Sequence, residues 1–379
     1  MRVLYLIHSS TMDGSTISFV NMITGLKAKG VEIIVACPNM RDELTSILKN
    51  NSIKYISVNL APLMIPWNTI KDVMKFPFRY VKRYISGVIN SRKLAEIVDE
   101  IQPDIIHSNV GVVHEGYTVC QKKHIPHIWH LREYQDKDFG WIIYPSKTRF
   151  IRKLKSSHVI AISKGIFEHF KCSYPKDRVI YNGIRNEADV SYDSKKEDYF
   201  LCASRIDSSK GHHDVIKAFS QFHKKHPNFK LKILGFGAED YIDYLKKLIT
   251  DSGLHDNVQF EGYKKSNEVS AYMKKAKALI VASYYEGFGR MTAEAAFSGC
   301  LVIGRNTGGT SEILHTTGGF LFNNINELAN CMETVTCMGS NEYLNQVIRA
   351  QEKAVKVYSI EANVQRVYDY YTSIIQSSN

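Results

Sequence analysis

Apolar residues gather in short, nearly unbroken runs separated by stretches of helical spacing. Residues 3–7 read VLYLI, and 31–38 read VEIIVACP, a buried-type strand closed by proline. Between them, positions 16–29 follow a helical period and stop at Gly30, where a helix-ending glycine belongs. DIIHSN (104–109) and HIPHIWHL (124–131) continue the strand series. A second series follows: YFLCASRI (199–206), KLKILGFG (230–237), NVQFEGY (257–263), ALIVAS (278–283) and CLVIGRN (300–306), each followed by helix-like sequence. Alternating strands and helices imply right-handed βαβ units and parallel sheets covered on both faces. The polar stretch YNGIRNEADVSYDSKKED (181–198) joins the two series. The pattern predicts an α/β protein of two Rossmann-like domains, 1–185 and 186–358, with a terminal helix at 359–379 packing back toward the first.

With 379 residues, 44% hydrophobic and 23% charged, the chain has material for two soluble cores. No stretch reaches the ~18 apolar residues of a membrane span. The opening MRVLYLIHSS lacks a small-residue cleavage site and suits a first buried strand better than a signal peptide. Seven scattered cysteines without a C-x-x-C pair point to free thiols in a reducing cytoplasm. Charge is unevenly spread: residues 1–180 carry 26 Lys and Arg against 15 Asp and Glu, while the remainder carries 23 of each. The first half is therefore expected to face something anionic.

Ligands of open α/β sheets bind beyond the carboxyl ends of strands, and the chemically suggestive residues fall there. After ALIVAS comes YYEGFGR, whose Gly287 and Gly289 permit a sharp turn before the helix MTAEAAFS. That helix's N-terminus attracts phosphate, whereas Glu294, expected in its first turn, suits vicinal sugar hydroxyls. Glu286 across the elbow would reach another part of the same ligand. The plainer alternative makes Glu294 a helix cap and Glu286 a solvated loop residue. Arg205 and Lys210 in SRIDSSKG would neutralise a diphosphate, or be ordinary surface charge. Gly308 and Gly309 before Thr310 suggest a second amide-lined anion nest.

Taken in order, SRIDSSKG, GFG (235–237), NVQFEGY and SYYEGFGRMTAEAAFSGCLVIGRNTGGTSEIL, with VIYNGI (179–184) more loosely, resemble glycosyltransferase family 4, retaining transferases of the GT-B fold. Glu286 and Glu294 match the family's E-x7-E motif. IPHIWHLRE resembles the segment bearing an active-site histidine, here His130, with His127 close by. MDGST stands where the family has a glycine-rich loop, with Gly14 but no double glycine. The resemblance implies two parallel-sheet domains facing an interdomain cleft. It implies that Glu294 binds the nucleotide ribose and Glu286 the donor sugar. Arg205 and Lys210 would hold the diphosphate with the amides of Phe288, Gly289 and Arg290. Gly14 would let the first loop close over the phosphates, His130 would lie beside donor and acceptor, and the base would rest near Gly262 and Tyr263.

The implied reaction moves a hexose from a nucleotide-sugar, UDP-linked by expectation, to a glycan or lipid-linked glycan of the cell surface. No cofactor and no metal are expected. DKD at 136–138 matches a metal-binding D-x-D only formally. A nucleotide-sugar epimerase of the same architecture and a non-catalytic nucleotide-sugar-binding subunit are the competing readings. Residues 67–93 hold seven Lys and Arg, one Asp and interleaved Trp, Phe and Tyr. This composition suits an anionic membrane surface, and equally a helix with a solvated basic face. Nucleic acid is not expected, since no RNP, KH or helix-turn-helix text accompanies it. The expected location is cytoplasmic, peripheral on the inner face of the plasma membrane.

Overall fold

A computed structural model describes residues 1–38, 42–60 and 62–378, so Asn379 at the end of the predicted terminal helix lies outside them. The chain divides into two compact units, Met1–Gly183 with Ile360–Asn379, and Ile184–Ser359.

The first unit contains β1 (Arg2–Leu6), β2 (Glu32–Cys37), β3 (Lys54–Ser57), β4 (Met64–Pro66), β5 (Ile105–Ser108), β6 (His127–Leu131), β7 (Trp141–Ile143), β8 (His158–Ala161) and β9 (Arg178–Val179). Seven form a parallel sheet in the order β3-β2-β1-β5-β6-β8-β9, and β4 pairs with β7 antiparallel. β5 and β6 are buried along their whole length, their histidines and Ser108 included, so they show no alternation of buried and exposed positions. Helix Gly14–Ala28 buries Phe19, Met22, Ile23 and Leu26 in a core shared with Val364, Val367, Tyr371 and Ile374. Those four come from helix Ile360–Ser378, the last of the chain.

The first unit also carries the 32-residue helix Ile70–Ile101, started by a Thr69–Asp72 capping box. Its only buried residues, Ser91, Leu94 and Val98, lie in the last third. Further forward, Ile70, Met74, Phe78, Val81, Ile85 and Ile89 recur at helical spacing, and the first three are 81%, 77% and 73% exposed. No helix among the described residues is long and apolar enough to cross a membrane.

The second unit is built on β10 (Tyr199–Ala203), β11 (Lys230–Leu234), β12 (Val258–Gly262), β13 (Ala278–Val281), β14 (Val302–Arg305) and β15 (Phe320–Phe322). All neighbours pair parallel in the order β12-β11-β10-β13-β14-β15. Phe200, Phe219, Phe222, Leu231, Ile280 and Ile303 form the centre of its core. Strand order reverses between β10 and β13, so their connections leave in opposite directions and open a crevice at the carboxyl edge.

Candidate active site

That crevice in the second unit is a cavity of ≈ 170 Å³ lined by Ser204, Arg205, Lys210, His212, Glu286 and Arg290, among others. After β10 the chain turns at Asp207, whose Oδ1 accepts the Ser209 amide at 3.0 Å and whose Oδ2 takes Arg205 Nε at 2.6 Å. One carboxylate thus shapes the turn and aims the arginine. Ile206 N donates to Phe236 O at 2.8 Å, tying this turn to the GFG loop after β11. Lys210, at the end of the turn, reaches Glu286 Oε2 at 3.1 Å, with only 20% and 23% of the two side chains exposed. Glu286 is therefore neither solvated nor idle: in this state it neutralises the lysine assigned to the diphosphate.

The 283–289 loop is braced from below. Arg305 donates to Asp214 at 2.6 Å and to Ala282 O at 3.0 Å, and Tyr284 donates to the same carboxylate at 2.6 Å. Gly289 starts the helix at φ +89°, a left-handed conformation that disfavours a side chain. Gly309 does something other than the sequence suggests. Its amide donates to Glu286 O at 2.8 Å, and a Cβ there would collide with the Phe288 carbonyl. The glycine pair is a close-packing contact behind the elbow, which corrects the anion-nest expectation.

Glu294 also stands differently from expectation. It is the fifth residue of helix Arg290–Phe297, past the first turn and 4% exposed, so it caps nothing. Its Oε1 accepts Arg290 Nε at 2.7 Å, and Arg185 Nη2 lies 3.9 Å from Oε2. Arg290 lines the cavity and stands between it and Glu294, so a ligand hydroxyl reaching this carboxylate meets two guanidinium groups as well. Arg185 was not singled out in the sequence. Nor was His212, buried beside Ser204 Oγ at 3.3 Å, its pKa brought down to about 4 by burial. At the ends of β11 and β12, Gly262 sits at φ +70°, and Tyr263 faces Phe236 with ring centroids 6.0 Å apart. Both rings are largely exposed, an open aromatic pair of the kind a base stacks on.

In the first unit the strand order reverses between β1 and β5, and the residues there are polar yet buried. Gly14 opens its helix, but Asp13 caps it, Oδ1 accepting the Ser15 and Thr16 amides at 2.9 Å each. A carboxylate thus sits at the helix end that the resemblance assigns to phosphates. His127 and His130 point to opposite faces of β6. Both ring nitrogens of His127 face serines, Ser108 at 2.9 Å and Ser157 at 3.4 Å. His130 is wholly buried, and its Nδ1 meets His107 Nε2 at 3.1 Å and Arg132 Nη2 at 3.4 Å. A guanidinium only donates, so Nδ1 of His130 accepts and its proton sits on Nε2. The relay then runs one way: Tyr5 hydroxyl to Tyr371 (2.7 Å), Tyr371 hydroxyl to His107 Nδ1 (2.5 Å), His107 to His130. Burial, then Arg132, then His107 hold His130 well below the ordinary imidazole pKa. It is neutral at pH 7 and offers an Nε2–H with no partner among the described residues.

Arg132 itself is 7% exposed and held by neutral oxygens: Asn109 O and Oδ1, and Asn182 Oδ1 at 2.8 Å. Next to it, burial with Asp138 and Asp13 pushes the Glu133 carboxyl up to about 7, against the pull of Arg132. A carboxyl raised on folding stabilises the fold at acid pH, and that contribution fades as pH rises from its ordinary 4.5 through about 7. Glu133→Gln is therefore expected to gain about 2 kcal/mol over wild type between pH 5 and pH 8. Thermal melts at the two pH values measure it, and parallel curves would show that Glu133 is ionised throughout. In DKD, Asp136 pairs with Lys147 (3.0 Å) and His169 (2.8 Å), while Asp138 accepts the Tyr134 amide at 2.6 Å. Both carboxylates are spent on structure.

Two Rossmann-like units, one with cations, a carboxylate and a glycine elbow at its switch point, define a glycosyltransferase of the GT-B fold. A family model described as glycosyl transferases group 1 matches residues 184–352, and that of glycosyltransferase family 4 matches 12–187. The chain belongs to glycosyltransferase family 4. An alpha-monoglucosyldiacylglycerol synthase of Acholeplasma laidlawii is 23% identical over 97% of this chain and 95% of its own length. An uncharacterized glycosyltransferase of Methanocaldococcus jannaschii is 27% identical over 56% of this chain and 60% of that protein. Among solved structures, Anabaena HepE in complex with UDP superposes with a TM-score of 0.77 at 19% identity, covering 98% of this chain and 100% of that one.

Proposed function

We propose that the chain transfers a hexose from a UDP-sugar, with retention at the anomeric carbon and without a metal, to a glycan or lipid-linked glycan at a membrane surface. The carrying observation is that Arg205, Lys210, Glu286 and Arg290 converge on one cavity at the switch point of the second unit. UDP in the Anabaena structure supports the nucleotide, and the glycolipid named for the Acholeplasma relative supports a lipid acceptor. In this reading the donor's diphosphate takes Lys210 away from Glu286, and Glu286 turns to the sugar hydroxyls. Negative charge grows on the leaving phosphate as the C1–O bond breaks, and Arg205 and Lys210 stabilise that charge most in the transition state. The acceptor oxygen bonds C1 on the same face and gives its proton to the departing phosphate. His130, a neutral donor, orients sugar or acceptor rather than removing the proton.

The membrane part rests on helix Ile70–Ile101. Lys71, Lys75 and Lys82 form a row beside the exposed Ile70–Ile89 stripe, the arrangement of a helix lying in an anionic interface.

A thermal-shift series tests the donor. UDP and UDP-glucose are expected to raise the melting temperature more than GDP and GDP-mannose do. Proton NMR of product made from UDP-α-glucose then tests retention. A β-anomeric product would overturn it, and no stabilisation by any nucleotide would overturn the transferase site.

A further inference from the structure

Beside the exposed stripe, the first unit has a second cavity of ≈ 350 Å³, which shares no lining residue with the cavity of the second unit. Helix Ile70–Ile101 contributes Tyr80, Arg83 and Tyr84, and helix Lys147–Lys155 contributes Arg149 and Lys153. The latter helix, KTRFIRKLK, is anchored by buried Phe150 and Leu154 and basic at five of its nine positions. Neither Arg83 nor Arg149 has a carboxylate within ion-pairing distance among the described residues. Lys153 Nζ stands 3.2 Å from His114 Nδ1 at the cavity wall. Burial holds that imidazole neutral, so it accepts from the lysine and adds no charge of its own. Glu115 also lines the cavity and attracts Lys153, so three cations face one carboxylate. The cavity and the stripe share an edge: Tyr84 and Val88 line the one and, 62% and 40% exposed, border the other.

We propose that this cavity takes the phosphate headgroup of an anionic phospholipid whose acyl chains lie along the Ile70–Ile89 stripe. The proposal rests on the membrane reading above and gives it a specific ligand. Two arginine forks suit the oxygens of a phosphodiester, and tyrosine rings suit the boundary between headgroup and hydrocarbon. A free anion would have no use for the apolar stripe that begins at the cavity's rim, and nucleic acid would leave that stripe in water. The neighbouring cavity along the same helix, ≈ 340 Å³ and lined by Val88, Arg92, Lys122 and Lys123, continues the cationic track.

The test uses the full chain, with dihexanoyl phosphatidylglycerol as a monomeric lipid and vesicles of phosphatidylcholine with phosphatidylglycerol. Calorimetric titration is expected to give one saturable lipid site, weakened about tenfold or more in Arg83→Gln/Arg149→Gln. Lys71→Gln/Lys75→Gln, which removes equal charge outside the cavity, should change it less than twofold. Met74→Glu/Phe78→Glu should abolish vesicle cosedimentation and leave monomer binding intact. Equal losses in the two charge variants, or no saturable site, overturn the cavity even where wild type cosediments. Displacement by inorganic phosphate at equal concentration shows a phosphate site rather than a lipid one. Failure of wild type to cosediment with any vesicle removes the membrane reading itself.

Discussion

Glu286→Gln is expected to lower donor turnover about a hundredfold while shifting UDP affinity less than about threefold. The side chain keeps its shape and loses its charge, so the 3.1 Å ion pair to Lys210 disappears from the resting site. The diphosphate contacts, assigned to Arg205, Lys210 and backbone amides, stay. What goes, in the proposed reading, is the carboxylate that turns to the sugar, where cationic character would develop as the leaving group departs. Loss of one charged group aimed at a transition state commonly costs ~10²–10³ in rate. Single-turnover rates and UDP titrations on the same preparation separate the two quantities. Turnover and UDP affinity falling together would make Glu286 a ground-state binding group, and unchanged turnover would remove it from the chemistry.

The second large effect concerns stability. Asn109→Ala should destabilise the first unit by about 3 kcal/mol, and Arg132→Met by clearly less. Asn109 Oδ1 accepts from both Nε and Nη2 of Arg132, at 3.2 and 2.8 Å, in a site where the guanidinium is 7% exposed. Removing the acceptor strands a cation away from water. Removing the cation leaves only neutral amide oxygens, of Asn109 and Asn182, to re-pair. Burial already brings the guanidinium pKa down to about 10, the mark of a charge held with little surplus. Urea midpoints of the two variants test the order, and a larger loss in Arg132→Met would show that the arginine's packing outweighs its charge.

The parts of this molecule that were legible in the sequence are those in which one local pattern does one job. The long apolar runs became β1, β2, β5, β6, β10, β11, β13 and β14, and Glu286 with its glycine elbow is a contiguous text. β9 and β15, of two and three residues, carry too little periodicity to stand out. Glu294 was placed in the first turn because a helix start is uncertain by a residue or two, and that margin moved it just beyond. The relay of Tyr5, His107, His130 and Tyr371 was out of reach for another reason. Of the four only His130 was singled out, by resemblance; Tyr5, His107 and Tyr371 read as ordinary strand or helix residues, and the Tyr5–Tyr371 contact spans 366 positions. Only sheet order and the docking of a distant helix bring them together.

That docking has a consequence for biosynthesis. The hydroxyl of Tyr371 and the wall formed by Val364, Val367 and Ile374 emerge from the ribosome after every residue of the second unit. The amino-terminal half must therefore wait, with part of its interior uncovered, while the half made later already has its whole sequence in hand. Assembly of this chain inverts the usual vectorial sequence, and a nascent polypeptide stalled near residue 359 exposes the bare flank a chaperone would guard.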